Sequence, residues 1–181
     1  MKDNKNSVVI ASAARTVIGS LKGSLKGLQG YELGAIAIQE VLKRSKIQPN
    51  EVDEVIMGQV LIGGAGQNPA RQAAIKSGIP VNKTAYVINQ VCGSGLRSIV
   101  LGYQAILNKD SNIVVAGGQE SMTNASNKIN INKKNKLLKS ELQNIMIYDG
   151  LWDAFYNYHM GITAENVADK WKISRDDQDN F

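Results

Sequence analysis

One cysteine stands where this sequence passes from an apolar run into a glycine-spaced helix, a position suited to nucleophilic chemistry. In NQVCGSGLRSIVLGYQAIL, Asn89 to Leu107, the apolar run ends at Val91, Cys92 follows, and Gly93 and Gly95 lead into a helical pattern. A strand that delivers a thiol to a helix N-terminus sets it among unpaired amide N–H groups and the positive end of the helix dipole. Both favour the thiolate, which is the nucleophile. The glycines let backbone and ligand approach closely. The same pattern also fits a packed core cysteine, because free cysteines are among the most buried residue types. His159, in YNYHMGITAEN, is the only histidine and so the one imidazole that could serve Cys92 as a general base. Ordinary surface or packing chemistry is the plainer interpretation of a lone loop histidine, and spacing does not decide between them.

Composition narrows the chemistry. With one cysteine and one histidine, the chain can form neither an internal disulfide nor a cysteine/histidine metal site, so no metal is expected. The 181 residues, 43% hydrophobic, are enough for one sizeable core, hence one domain or one plus an appendage. The opening Met1–Asn6 carries Asp3, and VVIASAA at Val8–Ala14 is soon interrupted by Arg15, so no signal peptide is expected. No apolar run is long enough to span a bilayer, which points to a soluble cytoplasmic protein with no membrane partner and a reduced thiol.

The net charge of +5 is unevenly placed. Lys128, Lys133, Lys134, Lys136 and Lys139 fall between Ser121 and Ser140 without a compensating acid, whereas Ser174–Phe181 is acidic. A solvated, asparagine-rich loop is the plain interpretation. Nucleic-acid binding is the alternative, but no aromatic residues interleave with these lysines to stack on bases, and no nucleic-acid partner is expected.

The elements that would position Cys92 alternate. SVVIASA (Ser7–Ala13) has a strand composition and leads to a loop punctuated by Gly19, Gly23, Gly27 and Gly30. ELGAIAIQEVLKRSK is helical, with Leu33, Ile36, Ala37, Val41 and Leu42 approximating its apolar face, and Pro49 stops it. EVDEVIMGQVLI (Glu51–Ile62) contains a strand. NPARQAAIKSG has Asn68 as N-cap, Pro69 at the first helical position and Gly78 past the end. TAYVINQ is a strand, GLRSIVLGYQAIL a helix and SNIVVAGG a strand, giving an α/β layer of parallel crossover units. After Gly118 the alternation stops. Ser121–Met160 is expected to be irregular, with a short helix around Lys136–Ile147, before TAENVADKWK resumes helical character.

Four segments together, NQVCGSGLRSIVLGYQAI, AGGQESMTNAS, GQNPARQAAIKSGIP and YHMGITAENVADKW, resemble the thiolase family, in particular its acetoacetyl-CoA thiolases, and ARTVIGSLKGSL resembles the family's opening. The resemblance runs from Val8 to Phe181. It implies that Cys92 accepts the acyl group from a CoA thioester, and that His159 and Met160, in the short-chain HMG pattern, line the pocket for the acyl group and pantetheine. It thereby disfavours a Cys92–His159 dyad, since family catalysis uses a second cysteine as acid and base, with a histidine, in a C-terminal half.

The implied fold is two similar α/β domains in a layered sandwich with a loop domain inserted in the first. On that resemblance, residues 7–118 are a thiolase N-terminal α/β domain and residues 119–181 a partial loop domain. The segment NASNKININKKNKLLKSELQN departs from the family pattern. SRDDQDNF opens a helix with Ser174 and Asp177 at capping-box spacing but supplies barely two turns, as in a truncated chain. The implied activity is condensation of two acetyl-CoA molecules to acetoacetyl-CoA and CoA, or the reverse, with CoA thioesters as substrates and no cofactor. Homo-oligomers, or a separately supplied C-terminal half, are the implied protein partners. The alternative is a non-catalytic remnant or partner-binding module.

Overall fold

The computed structural model describes residues 7–131 and 137–181. These fall into two compact units that divide between Ala125 and Ser126.

The first unit is built on a parallel three-stranded sheet of β1 (Glu54–Gly58), β2 (Thr84–Ile88) and β3 (Val114–Gly118), in the order β2-β1-β3. Central β1 is apolar on both faces, and Val55 and Ile56 are fully buried, as a strand covered on both sides must be. Side chains alternate across a strand. Val55 and Met57 therefore share one face, in a core with Ile38 and Leu42 of α1 (Gly30–Ser45) and Ala70 and Ala73 of α2 (Pro69–Lys76). Gly58 lies on the opposite face, where α3 (Ser94–Leu107) packs over β1 and β3. The result is an α/β layer with helices on both sides of the sheet, as the strand-helix alternation led one to expect.

Helix punctuation follows the sequence closely. Asn68 Oδ1 accepts the Arg71 N–H at 3.1 Å, Pro69 opens α2, and Gly78 beyond it has φ 95°, a conformation open to glycine. In α1 the Glu32 carboxylate accepts the Gln29 N–H at 3.0 Å, and Lys46 closes the helix in the left-handed region.

Three expectations need correction. Residues 7–13 form no strand: Val9 and Ile10 are 74% and 78% exposed, and β1 pairs β2 and β3 without that segment. A strand composition becomes a strand only where a neighbour supplies the ladder. The buried face of α1 is Gly30, Gly34, Ala35, Ile38 and Leu42, whereas Ile36 is 47% exposed. A Cβ on Gly34 would lie 2.0 Å from Gln119 Oε1, so α1 approaches its neighbours through its smallest residues. In the second unit, most of the helix expected around Lys136–Ile147 is instead β5 (Leu137–Asn144), paired antiparallel with β4 (Asn127–Ile131). Only α4 (Ile145–Tyr148) is helical there, opened by Asn144 Oδ1 accepting the Met146 N–H. The short apolar pattern suited either structure, and the presence of β4 selects the strand.

Lys133, Lys134 and Lys136 lie outside the described residues, and Lys128 Nζ sits 5.4 Å from the centre of the Tyr148 ring. The unit ends in α5 (Met160–Trp171) and α6 (Arg175–Asn180), and α6 is opened by the expected Ser174–Asp177 capping box. Among the described residues no helix is long and apolar enough to cross a membrane.

At the end of the sheet opposite Cys92, the Asp53 carboxylate accepts the N–H groups of Asn112 at 2.8 Å and Ile113 at 3.2 Å, tying the start of β1 to the approach to β3. These bonds, with Lys83 nearby, hold its pKa below the usual aspartate range. Asp53→Ala is expected to cost about 1–2 kcal/mol in urea unfolding at neutral pH. Because the folded-state pKa is depressed, this contribution is present above the unfolded-state value and fades as pH falls through the lower folded one. The gap between parent and variant should therefore narrow in acid, and a gap that stayed constant would sink the assignment.

Candidate functional site

All three parallel strands end on the same side, so the segments that follow them meet at one edge of the sheet. Gly58 is level with Ile88 and with Gly118. Beyond them come Gln59–Leu61, Asn89–Gly93 and Gln119–Ser121. Open α/β sheets bind their ligands outside these carboxyl ends, and Cys92 lies there, on the second segment.

The turn that carries Cys92 is held by its neighbours. Asn89 Oδ1 accepts the Val91 N–H at 2.8 Å. Ser94 Oγ donates to Val91 O at 2.6 Å and accepts the Gln90 N–H at 2.8 Å, and the Gly93 N–H bonds to Gln90 O at 3.1 Å. Within this clasp Val91 adopts φ 49°, a left-handed conformation rare for a β-branched residue and costing on the order of 1–3 kcal/mol. Val91 is 50% exposed, so hydrogen bonds rather than packing keep it there. The consequence is that Cys92 leaves the turn exposed, directly before Gly93, the N-cap of α3. Within this chain the cysteine is therefore not packed in the core of the first unit.

Glycines bring α3 this close to the strand ends. A Cβ on Gly58 would come 2.4 Å from the Ser94 carbonyl carbon, and one on Gly118 would come 3.3 Å from Gly95 Cα. Ser98, fully buried, donates from its hydroxyl to Gly117 O at 2.7 Å and fastens the helix to β3.

A polar group that the sequence reading left without a role stands beside this turn. The Glu120 carboxylate accepts the N–H groups of Val60 at 2.8 Å and Leu61 at 3.3 Å. Burial raises its pKa above the usual glutamate range, against the lowering effect of bonds from Val60, Leu61 and Ser121. Buried Gln119 donates to buried Gln59 Oε1 at 2.8 Å, and Gln59 donates to Leu61 O at 3.1 Å. The signal in the sequence was an amide and a carboxylate directly after the glycine pair that ends a strand.

His159 and Met160 belong to the second unit, each half-buried. A tight loop presents them: Asp153 N–H bonds to Tyr158 O and Met160 N–H to Leu151 O, both at 2.8 Å, while Trp152 Nε1 donates to Asn157 Oδ1 at 3.0 Å. His159 Nδ1 accepts the Gly161 N–H at 2.9 Å and so caps α5. That bond engages Nδ1, places the proton of the neutral ring on Nε2, and leaves only Nε2 for other partners. Among the described residues no group of three His, Cys, Asp or Glu side chains could hold a metal ion.

Comparison with known proteins places the chain in a family. The family model described as "Thiolase, N-terminal domain" matches residues 8–181. The acetyl-CoA acetyltransferase of Rhizobium meliloti (strain 1021) is 54% identical over 175 residues, covering 97% of this chain and 44% of that protein. The acetyl-CoA acetyltransferase of Paracoccus denitrificans is 56% identical over 173 residues, again covering 44% of that protein. The cytosolic acetyl-CoA acetyltransferase of Rattus norvegicus is 49% identical over 179 residues, 99% of this chain and 45% of the relative. The chain thus spans less than half the length of the curated relatives it matches.

Proposed function

Because the chain belongs to the thiolase family, we propose that it carries the acyl-accepting nucleophile of a CoA-dependent acyltransferase, that the nucleophile is Cys92, and that the acyl group is acetyl. The observation that carries this reading is an exposed Cys92 on a left-handed turn between β2 and α3, at the carboxyl ends of the parallel strands.

In the proposed reaction the Cys92 thiolate attacks the thioester carbonyl of acetyl-CoA, the C–S bond to CoA breaks, and CoA leaves as thiolate. The enolate of a second acetyl-CoA then attacks the acetyl-cysteine carbonyl, forming the new carbon–carbon bond and returning the Cys92 thiolate. The second step needs a base to take the methyl proton and donors for the developing oxyanion. The single cysteine of this chain is the nucleophile itself, and Nδ1 of the single histidine is occupied in capping α5. Resemblance to the family, which works with a second cysteine and a histidine of a C-terminal half, assigns the base for condensation to groups other than Cys92 and His159. His159 and Met160 belong to the same proposal as pocket-lining residues for the acyl group and pantetheine, and CoA thioesters are the substrates with no cofactor.

The division into an α/β domain at residues 7–118 and a partial loop domain at 119–181 is also part of this reading, as is a cytoplasmic setting like that named for the rat relative. Support for a further packed domain comes from α3. Leu96, Ile99, Val100, Tyr103 and Leu107 recur at helical spacing and are each between 37% and 70% exposed. A stripe of that kind is a face awaiting cover, and we assign it to the second α/β domain of the layered fold.

Intact-protein mass spectrometry of the 181-residue chain after incubation with acetyl-CoA tests the reading. One acetyl group on Cys92 is expected, without steady-state thiolysis of acetoacetyl-CoA. Turnover should appear on co-expression with the remaining C-terminal part of the Paracoccus denitrificans relative. Acetylation confined to lysines, or sustained turnover by the chain alone, would overturn it.

A further inference from the structure

We propose that Glu120 is a positioning residue for Cys92, acting through the segment after β1 and the Asn89 side chain; this rests on the reading of Cys92 as the nucleophile. The Glu120 carboxylate fixes Val60 and Leu61 by their N–H groups. Val60 O receives the Asn89 amide at 3.4 Å, and Asn89 Oδ1 holds the N–H of Val91, the left-handed residue directly before Cys92. One carboxylate on the third strand's loop thereby reaches Val91, in the nucleophile's turn, through three hydrogen bonds across all three strand ends.

Two features mark this group as more than a stabiliser. Burial raises the Glu120 pKa although the N–H groups of Val60, Leu61 and Ser121 bind the carboxylate, so desolvation offsets part of what those bonds contribute. The adjoining amide pair is also incompletely satisfied: Gln119 Oε1 is buried without a hydrogen-bond partner among the described residues, so the cluster is not arranged for maximal stability. Its geometric product is the fixed path of the three loops, one of which bears Cys92. Misplacing a reacting group by about 1 Å can cost up to about a hundredfold in rate, which sets the size of the expected effect.

The experiment compares the 181-residue parent with Glu120→Gln, Glu120→Ala, Asn89→Ala and the Glu120→Ala/Asn89→Ala pair. Three quantities are measured: amide hydrogen exchange across residues 89–93, alkylation of Cys92 by iodoacetamide, and acetylation of Cys92 by acetyl-CoA. Glu120→Ala is expected to speed exchange at 89–93 and to slow acetylation, each by about tenfold or more, with Glu120→Gln intermediate because it keeps one acceptor oxygen. The double variant should be no worse than the worse single one, as two members of one relay are non-additive. Faster exchange at Val60 and Leu61 alone, with residues 89–93 and Cys92 reactivity unchanged, would overturn the proposal. Should Glu120→Ala fail to fold, Glu120→Gln and Asn89→Ala decide it by the same readouts. If the parent is not acetylated by acetyl-CoA, the functional reading fails, while exchange and alkylation still decide the role of Glu120.

Discussion

Replacing Cys92 with serine is expected to lower the single-turnover rate of acetyl transfer from acetyl-CoA by roughly three orders of magnitude or more, the scale seen when a nucleophile is removed from a catalytic unit. A hydroxyl has the shape of the thiol but is a far weaker nucleophile without a paired base, and among the described residues none is bonded to this position. The fold should hardly notice the exchange. Cys92 is exposed and the turn is held by Asn89, Gln90 and Ser94, so the change in stability should stay within about 0.5 kcal/mol. Stopped incubations followed by intact mass would give the rate, and a urea titration the stability. Equal acetylation of parent and variant would show that the acetyl group goes elsewhere, whereas a large loss of stability would mean that the thiol has a packing role the geometry does not reveal.

The second large effect should come from one methyl group at Gly58. A Cβ there would stand 2.4 Å from the Ser94 carbonyl carbon, 2.6 Å from Gly95 N and 2.6 Å from Ser94 Cβ. Two of those atoms are backbone, and β1 cannot retreat because it is paired on both sides. Relief must come from the first turn of α3, where Ser94 is 3% exposed and bonded to both Gln90 and Val91. Gly58→Ala is therefore expected to lose about 3 kcal/mol of stability, at the upper end for overpacking, and to displace the Cys92 turn with the helix. Gly117→Ala is the matched control: a Cβ there meets nothing within 4 Å, so its effect should stay within about 0.5 kcal/mol. Chemical denaturation of both variants, with the alkylation rate of Cys92, separates the two. Equal stability would mean that α3 moves over the strand ends more freely than its packing indicates.

The sequence by itself determined those features whose causes lie within a few residues. Asn68, Pro69 and Gly78 delimit α2, the Ser174–Asp177 box opens α6, and the apolar runs of β1, β2 and β3 stand where strands formed. The junction of β2 with α3 was legible too, which is why Cys92 could be singled out together with the family to which the chain belongs. Capping, turn chemistry and hydrophobic period act over one or two turns of chain, so they can be read without knowing the partners.

Tertiary structure decided whatever depended on a distant partner. Residues 7–13 have a strand composition and no ladder, whereas Leu137–Asn144 reads as readily helical and became β5 because β4 lies beside it. The buried side of α1 was set by where Gly34 meets Gln119, not by where its largest apolar residues recur. The Glu120–Val60 and Gln119–Gln59 bonds each join residues 60 positions apart, and Val91 becomes left-handed only once Asn89 and Ser94 hold it. Local preferences differ by a few tenths to one kcal/mol per residue, while an extra pairing partner or a backbone clash is worth as much or more, so contacts between separated segments settle every case that local pattern leaves near balance.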